Sequence, residues 1–223
     1  VAGGMNRVVS GLGMTSQRTR ARMIERLRVD GIRNERVLAA IAAVPRHVFV
    51  EEALASRAYE DSALPLGFSQ TISQPFIVAR MIEILIAGGR ELGKTLEVGA
   101  GSGYQAAVLA QLTKEVYAVE RIEPLLARAK INLRNIQEFR VRLKYADGQL
   151  GLPEAAPFDT IIVAAAASAV PQGLLQQLAL GGRMLLPLGT GEQNLLLFER
   201  RAEGLVESRL DSVRFVPLLS GLE

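Results

Sequence analysis

Residues 95–110 read TLEVGAGSGYQAAVLA, and here residue types and spacing first point to chemistry. An apolar strand pattern carries an acid, Glu97, two residues ahead of three alternating glycines, Gly99, Gly101 and Gly103, after which a helix pattern begins. Glycines at a strand-to-helix turn reach dihedrals closed to other residues and let a ligand approach the backbone beside the start of a helix. The same run also serves as a plain tight turn, so its surroundings must decide. The dinucleotide fingerprint G-x-G-x-x-G needs its third glycine where Tyr104 stands, which counts against a nicotinamide oxidoreductase. A carboxylate at Glu97 repels a pyrophosphate and attracts a cation.

Two further acids fall at the ends of the next two strand patterns. Glu120 closes EVYAVE, where the geometry of an open α/β sheet puts an acceptor for ribose hydroxyls; an exposed strand-end acid is the plainer alternative. Asp147 and Gly148, in YADGQ, offer a carboxylate to an amino group and bare backbone to a ring, although Asp-Gly is also an ordinary turn. A cationic ligand with free ribose hydroxyls and no pyrophosphate is required, and S-adenosylmethionine meets those conditions. The chain has no Cys and a single His, His47, so thiol nucleophiles, disulfides and Cys/His zinc sites are excluded, and no metal is expected. His47 itself reads as an ordinary residue at a helix–loop boundary.

The elements that must hold these residues follow from periodicity. Met23, Ile24 and Leu27 mark one face of a helix stopping at Gly31, and Asn34 suits the N-cap of ERVLAAIAAV, which Pro45 ends. A third short helix is expected over VEEALASRAY. Residues 60–75 have weak periodicity, which predicts a functional loop. From Pro75 a strongly apolar helix runs to Gly88 and Gly89. Strands at 95–98, 116–119, 141–145, 160–164 and 184–188 then alternate with helices at 104–112, 124–135 and 171–180, and a hairpin turning at Glu203-Gly204 follows. This predicts an α/β fold: a doubly wound, mostly parallel seven-stranded sheet with a C-terminal antiparallel hairpin and an N-terminal helical addition. Residues 1–15 read as an arm, unstructured or added to the natural chain, and 16–223 as one domain, with helices and active-site loop over 16–75 and the sheet core over 76–223.

The net charge is +3, yet residues 1–36 hold eight arginines against three acids. Without interleaved aromatics this predicts a solvated helix face rather than a nucleic-acid surface. No run approaches the roughly 18 apolar residues of a membrane span, and no secretion signal opens the chain, so a cytoplasmic, monomeric protein without membrane or nucleic-acid partners is expected.

Several stretches, in this order, resemble protein-L-isoaspartate O-methyltransferases: LEVGAGSGYQAAVLA, VERI, ADG, APFDTIIVAAAA with VPQGLLQQL, GGRMLLPLG and VRFVPL, and above all ALPLGFSQTISQP. The resemblance runs from about Ser16 to Leu218. It implies a class I methyltransferase sheet with its last two strands exchanged in order. It also implies methyl transfer from S-adenosylmethionine to the free α-carboxylate of L-isoaspartyl residues in damaged proteins and peptides, with S-adenosylhomocysteine as product. The ester then cyclises to a succinimide that reopens in part to aspartate. By the same resemblance Ser73 is the active-site serine, Gln70, Thr71 and Ile72 flank the cofactor, Glu97 and the three glycines hold its methionine part, Glu120 its ribose, and Asp147 with Gly148 its adenine. Arg214, Phe215 and Val216 match the peptide-binding strand. Ser69, Ala146 and Ala164 depart from the family pattern. An RNA or small-molecule methyltransferase on the same fold, or a non-catalytic binding protein, are the alternatives; no N-P-P-Y-like or D-P-P-Y-like tetrapeptide supports the first, and intact TISQP argues against the second.

Overall fold

A computed structural model describes residues 13–223. Of the expected arm, residues 1–12, Arg7 among them, lie outside the described residues, and Gly13–Thr15 form a 3-10 turn. Helix α1 (Gln17–Val29) is capped by Ser16 and buries Met23, Ile24 and Leu27. Helix α2 (Glu35–Ala43) begins at Asn34, whose side chain accepts from the Arg36 and Val37 amides. Helix α3 (Pro75–Leu85) starts at Pro75, and its Glu83 accepts the Arg33 and Asn34 amides at 2.7 and 2.8 Å, tying α3 to the start of α2. The N-terminal arginines serve this packing. Arg28 pairs with Glu25 and Glu35, Arg36 with Glu91, and Arg20 and Arg26 reach the Ala42 and Tyr59 carbonyls. Such exposed ion pairs are screened by water and add little each, so they orient the helices while the buried apolar stripe holds them.

Two sheets follow. A small antiparallel pair joins β1 (Leu64–Gly67) to β2 (Gln70–Ile72). The large sheet contains β3 (Thr95–Val98), β4 (Val116–Glu120), β5 (Val141–Tyr145), β6 (Phe158–Val163), β7 (Leu178–Leu188), β8 (Gln193–Arg201) and β9 (Gly204–Val213), in the order β5-β4-β3-β6-β7-β8-β9. β3 to β7 are parallel, while β8 and β9 are antiparallel additions. The sheet is thus mostly parallel and seven-stranded, as periodicity predicts, and β8 lies between β7 and the edge strand β9. The connecting helices are α4 (Tyr104–Leu109), α5 (Glu123–Asn135) and α6 (Gln172–Gln176).

Strand alternation divides the core. Leu96 and Val98 of β3 face Phe158, Ile161, Val163, Leu174 and Leu178 on one side of the sheet. The other side packs Ala118, Ile162 and Leu185 against α1 to α5. All of β3 is buried, so Glu97 is carried into the interior by a strand flanked on both sides by β4 and β6. Among the described residues no helix is long and apolar enough to cross a membrane.

Four expectations are corrected. The predicted third helix is replaced by 3-10 turns at Arg46–Phe49 and Glu52–Arg57; the buried Arg46 guanidinium takes the Ala58 and Ser62 carbonyls, and Arg26 that of Tyr59, in place of an i→i+4 ladder. The predicted loop over 60–75 contains the β1–β2 hairpin, hidden from sequence because its two-residue turn is Phe68-Ser69 rather than a glycine pair. The last helix pattern yields only α6, because β7 begins at Leu178, paired with Phe158, and resumes at Arg183 opposite Thr160 after an irregularity. The terminal hairpin turns at Ala202 and Glu203, with Arg201 opposite Gly204.

Phe68 and Ser69 have φ of +52° and +55°, both left-handed, as a twisted two-residue hairpin turn demands. This conformation costs a non-glycine residue about 1–2 kcal/mol, part of which a glycine returns as unfolded-chain entropy. Ser69→Gly is therefore expected to stabilise the fold by about 0.5–1 kcal/mol, a rise of about 2 °C in thermal midpoint. An unchanged or lower midpoint would show that the turn carries no such strain.

Candidate active site

Beyond the carboxyl ends of β3 and β4 the backbone opens into a crevice of about 820 Å³, mouth included. Open α/β sheets bind ligands at this position, where the chain leaves one strand for helices and the adjacent strand lies on the other side. Gln70, Thr71, Ile72, Ser73, Glu97, Gly99, Gly101, Glu120, Gly148 and Val216 all line it, so residues separated by as many as 146 positions meet in one cavity. The β1–β2 hairpin supplies the first group and places Ser73 between β2 and the first turn of α3.

Glu97 governs the electrostatics. It is 1% exposed, and neither carboxylate oxygen has a hydrogen-bond partner. Burial pushes its carboxyl well above its ordinary value of 4.5; the neighbouring Gln105 side chain opposes the rise and the charge of Glu120 adds to it. Glu120 is arranged differently: its Oε2 accepts the Gly101 amide at 2.8 Å, and its Oε1 accepts those of Arg121 and Ile122 at 2.8 and 3.0 Å. Three of its roughly four acceptor positions are filled by main chain, which aims the carboxylate at the mouth of the glycine turn. Tyr104, the residue after the glycines, lines the crevice from inside, its ring edge against Phe49 and its face under the Arg46 guanidinium at 4.8 Å. Burial raises its phenol to about 12.

Four expected site residues lie off the lining. Gly103 packs on α5: a Cβ there would meet Ala129 at 3.3 Å and Leu133 at 3.5 Å, so its bareness lets α5 approach the turn. Asp147 directs Oδ1 to the Gln149 amide at 2.8 Å and Oδ2 to the Gly221 amide at 2.6 Å. Arg214 is exposed. Phe215 has both backbone groups held by the Gln193 side chain, its amide at 2.6 Å and its carbonyl at 3.1 Å, which fastens 214–216 beside β8. Gly148 does line the crevice and is pressed on Val98, where a Cβ would stand 2.5 Å from Cγ1.

Other lining residues were not singled out from sequence: Leu66, Val78, Tyr104, Gln105, Ala165, Leu218 and Leu219. Tyr104 and Gln105 had a signal, as the first two residues after the glycine run. Leu218 and Leu219 had none, because only the path of the chain after β9 brings them back across the sheet. His47 donates to or accepts from the Tyr59 hydroxyl at 2.7 Å, a packing contact away from the crevice. Among the described residues no group of three or more His, Asp or Glu is placed to hold a metal ion.

The arrangement is a dry carboxylate facing a bare-backbone turn, with a second carboxylate at the rim and a serine opposite. It suits a cation with hydroxyls at its far end. The model of one family, protein-L-isoaspartate(D-aspartate) O-methyltransferase (PCMT), matches residues 18–223. The chain is 74% identical over 216 residues to a protein-L-isoaspartate O-methyltransferase of Dechloromonas aromatica, covering 97% of this chain and 100% of that one. It is 64% identical over 211 residues to that of Aromatoleum aromaticum, covering 95% and 96%. Among solved structures, a protein-L-isoaspartate O-methyltransferase superposes with TM-score 0.82 at 29% identity, covering 91% of this chain and 67% of that one. A Plasmodium falciparum protein described as a beta-aspartate methyltransferase (PCMT), solved with S-adenosyl-L-homocysteine, superposes with TM-score 0.77 at 25% identity, covering 88% and 96%.

A carboxyl whose folded value is raised makes the ligand-free fold lose stability as pH climbs from 4.5 through that value, because the folded state there holds the extra proton. Glu97→Gln has no charge to bury. Its thermal midpoint is expected to gain on that of the wild type as pH rises from 4.5 towards neutral. Parallel curves for the two proteins would mean that Glu97 is not strained by burial.

Proposed function

The chain belongs to the protein-L-isoaspartate(D-aspartate) O-methyltransferase family, and we propose that the crevice beyond β3 and β4 is where it presents S-adenosylmethionine to the carboxylate it methylates. The protein is an S-adenosylmethionine-dependent enzyme that esterifies the free α-carboxylate of L-isoaspartyl residues in damaged proteins and peptides, initiating repair. The observation that carries the site assignment is Glu97, a buried carboxylate with two unpartnered oxygens. Such a group is costly alone and favourable beside a fixed positive charge.

When bound, S-adenosylmethionine supplies an electrophilic methyl on a sulfonium and departs as S-adenosylhomocysteine. The chain's own residues then have four tasks. Glu97 opposes the positive charge of the methionine part, with the main chain of Gly99 and Gly101 leaving room. Glu120, oriented by three amides, accepts ribose hydroxyls. Gly148, Leu218 and Leu219 give the lining bare backbone and apolar side chains suited to adenine, and Gln70, Thr71 and Ile72 line it too. Ser73 donates its hydroxyl proton to one oxygen of the substrate carboxylate, which fixes the other oxygen for attack.

No general base is needed, since a carboxylate with a pKa near 4 is already ionised at neutral pH. The chemistry therefore asks only for alignment and exclusion of water, which explains how a chain with one histidine and no cysteine can carry it. A metal has no task in this scheme, because the sulfonium already activates the methyl. Val216, on the crevice, and the exposed Arg214 lie on the segment assigned to the substrate polypeptide; Phe215 contributes by anchoring that segment through Gln193. Residues 16–223 act as one domain. Part of the N-terminal basic charge is tied to the fold: Arg28 and Arg36 pair with acids, and Arg20 and Arg26 hold carbonyls.

Incubation with labelled S-adenosylmethionine and paired peptides bearing aspartate or isoaspartate at one position is expected to give base-labile methyl ester on the isoaspartyl peptide only. Equal labelling of both peptides, or of neither, overturns the assignment. Ser73→Ala is expected to leave cofactor affinity within a few-fold and to slow transfer about 10- to 100-fold, the loss of one positioning hydrogen bond in a water-poor site. Calorimetry that finds cofactor binding lost instead would reassign Ser73 to cofactor support.

A further inference from the structure

Segment 216–223 runs across the carboxyl ends of three strands in turn. It leaves the end of β6 with the Ala166 amide on the Val216 carbonyl at 2.8 Å and the Leu218 amide on the Ala166 carbonyl at 2.7 Å. Over the end of β5, Gln149 Nε2 donates to the Leu218 carbonyl at 3.2 Å and the Gly221 amide donates to Asp147 Oδ2 at 2.6 Å. At the end of β4 it is held most firmly. Arg121 Nε donates to the Gly221 carbonyl and Nη1 to Glu223 Oε2, both at 2.8 Å. Main-chain bonds of 2.8 Å also join the Glu223 amide to the Arg121 carbonyl and the Glu123 amide to the Glu223 carbonyl. Pro217, Leu218 and Leu219 face the crevice along this path.

We propose that segment 216–223 is a strap that retains the bound cofactor, and that Arg121 is its latch, a positioning residue acting through the strap. The inference rests on the methyltransferase reading of the crevice. Three observations carry it. The strap crosses the sheet edge where a ligand must enter and leave. The turn that latches it also sets the ribose acceptor, since the Arg121 amide itself donates to Glu120 Oε1. Asp147, matched by resemblance to adenine, holds the strap at Gly221. A ligand touching Glu120 on one side and Leu218 on the other bridges latch and strap, so binding favours the closed strap and the closed strap slows escape, by the same coupling read in both directions.

Charge and latching predict opposite results for Arg121. A positive side chain beside a cation site weakens cation binding if it acts by charge alone, so its removal would tighten binding. As a latch, its removal loosens retention. Arg121→Lys separates the two, because lysine keeps the charge and lacks the planar fork that reaches Gly221 and Glu223 together.

The test measures dissociation of S-adenosylhomocysteine by stopped flow from the wild type, Arg121→Lys and Arg121→Gln, with hydrogen exchange of 217–223 followed in parallel. Both variants are expected to release the ligand roughly tenfold faster or more, the loss of a charge-assisted bond. In the wild type the ligand is expected to slow exchange in 217–223, and in Arg121→Lys most of that protection is expected to vanish. Wild-type release and protection in Arg121→Lys would overturn the latch. Ligand-independent exchange of 217–223 in the wild type, which needs no variant to fold, would overturn the strap. If the wild type fails to bind S-adenosylhomocysteine at all, the cofactor reading falls and the strap with it.

Discussion

A carboxylate held dry without an internal partner is the constraint around which this structure is organised. Glu97 sits on β3, an interior strand of the sheet flanked by β4 and β6, and its desolvation counts against the fold. The surrounding core has to offset that cost, and it does so with apolar residues on both faces: Leu96 and Val98 into one cluster, and the helices α1 to α5 over the other. The N-terminal helices therefore have an electrostatic consequence as well as a packing one. By covering the face on which Glu97 lies, they keep water from it and keep its field strong.

Glu120 shows the complementary design. Its three main-chain donors fix its position, so one acid is left without a hydrogen-bond partner while the other is oriented. A cation at the first and hydroxyls at the second complete both. The glycine run serves two ends within five residues: Gly99 and Gly101 keep the crevice clear, and Gly103 lets α5 close on the turn from behind. The crevice is thus shaped by the approach of two elements as much as by its own loop.

The acceptor side uses little chemistry because the acceptor arrives ionised. What the protein supplies there is geometry, and the geometry comes from a strained hairpin. Phe68 and Ser69 in left-handed conformation turn β1 back onto β2, so that Gln70 to Ser73 line the crevice and α3 begins at once with Pro75. Arg46, fully buried, holds the Ala58 and Ser62 carbonyls ahead of this hairpin and stacks on Tyr104 inside the crevice. One guanidinium thereby couples the hairpin's approach to the wall of the crevice.

Much was legible in the residues themselves. Alternating strand and helix periods required a doubly wound sheet, Asn34 and Pro75 marked helix starts, and the spacing of Glu97 from its glycines pointed to a cation over a dinucleotide; these are local properties, set by dihedral preference and by the sign of one charge. The resemblance carried by TISQP, more than any periodicity, led to Ser73. What sequence could not decide was where chain segments distant from one another come to rest. The Phe68-Ser69 turn lacks glycine, so nothing local announced a hairpin. Arg46 and Arg26 drew carbonyls out of an expected helix. Gly103 and Asp147 were assigned to the cofactor and Phe215 to the substrate peptide; the structure shows in addition that they meet α5, Gly221 and Gln193. Apart from the hairpin turn, these outcomes depend on partners at least 12 residues away and up to 74, and the free energy of such a contact exists only once the tertiary fold has brought the two groups within hydrogen-bonding or van der Waals distance.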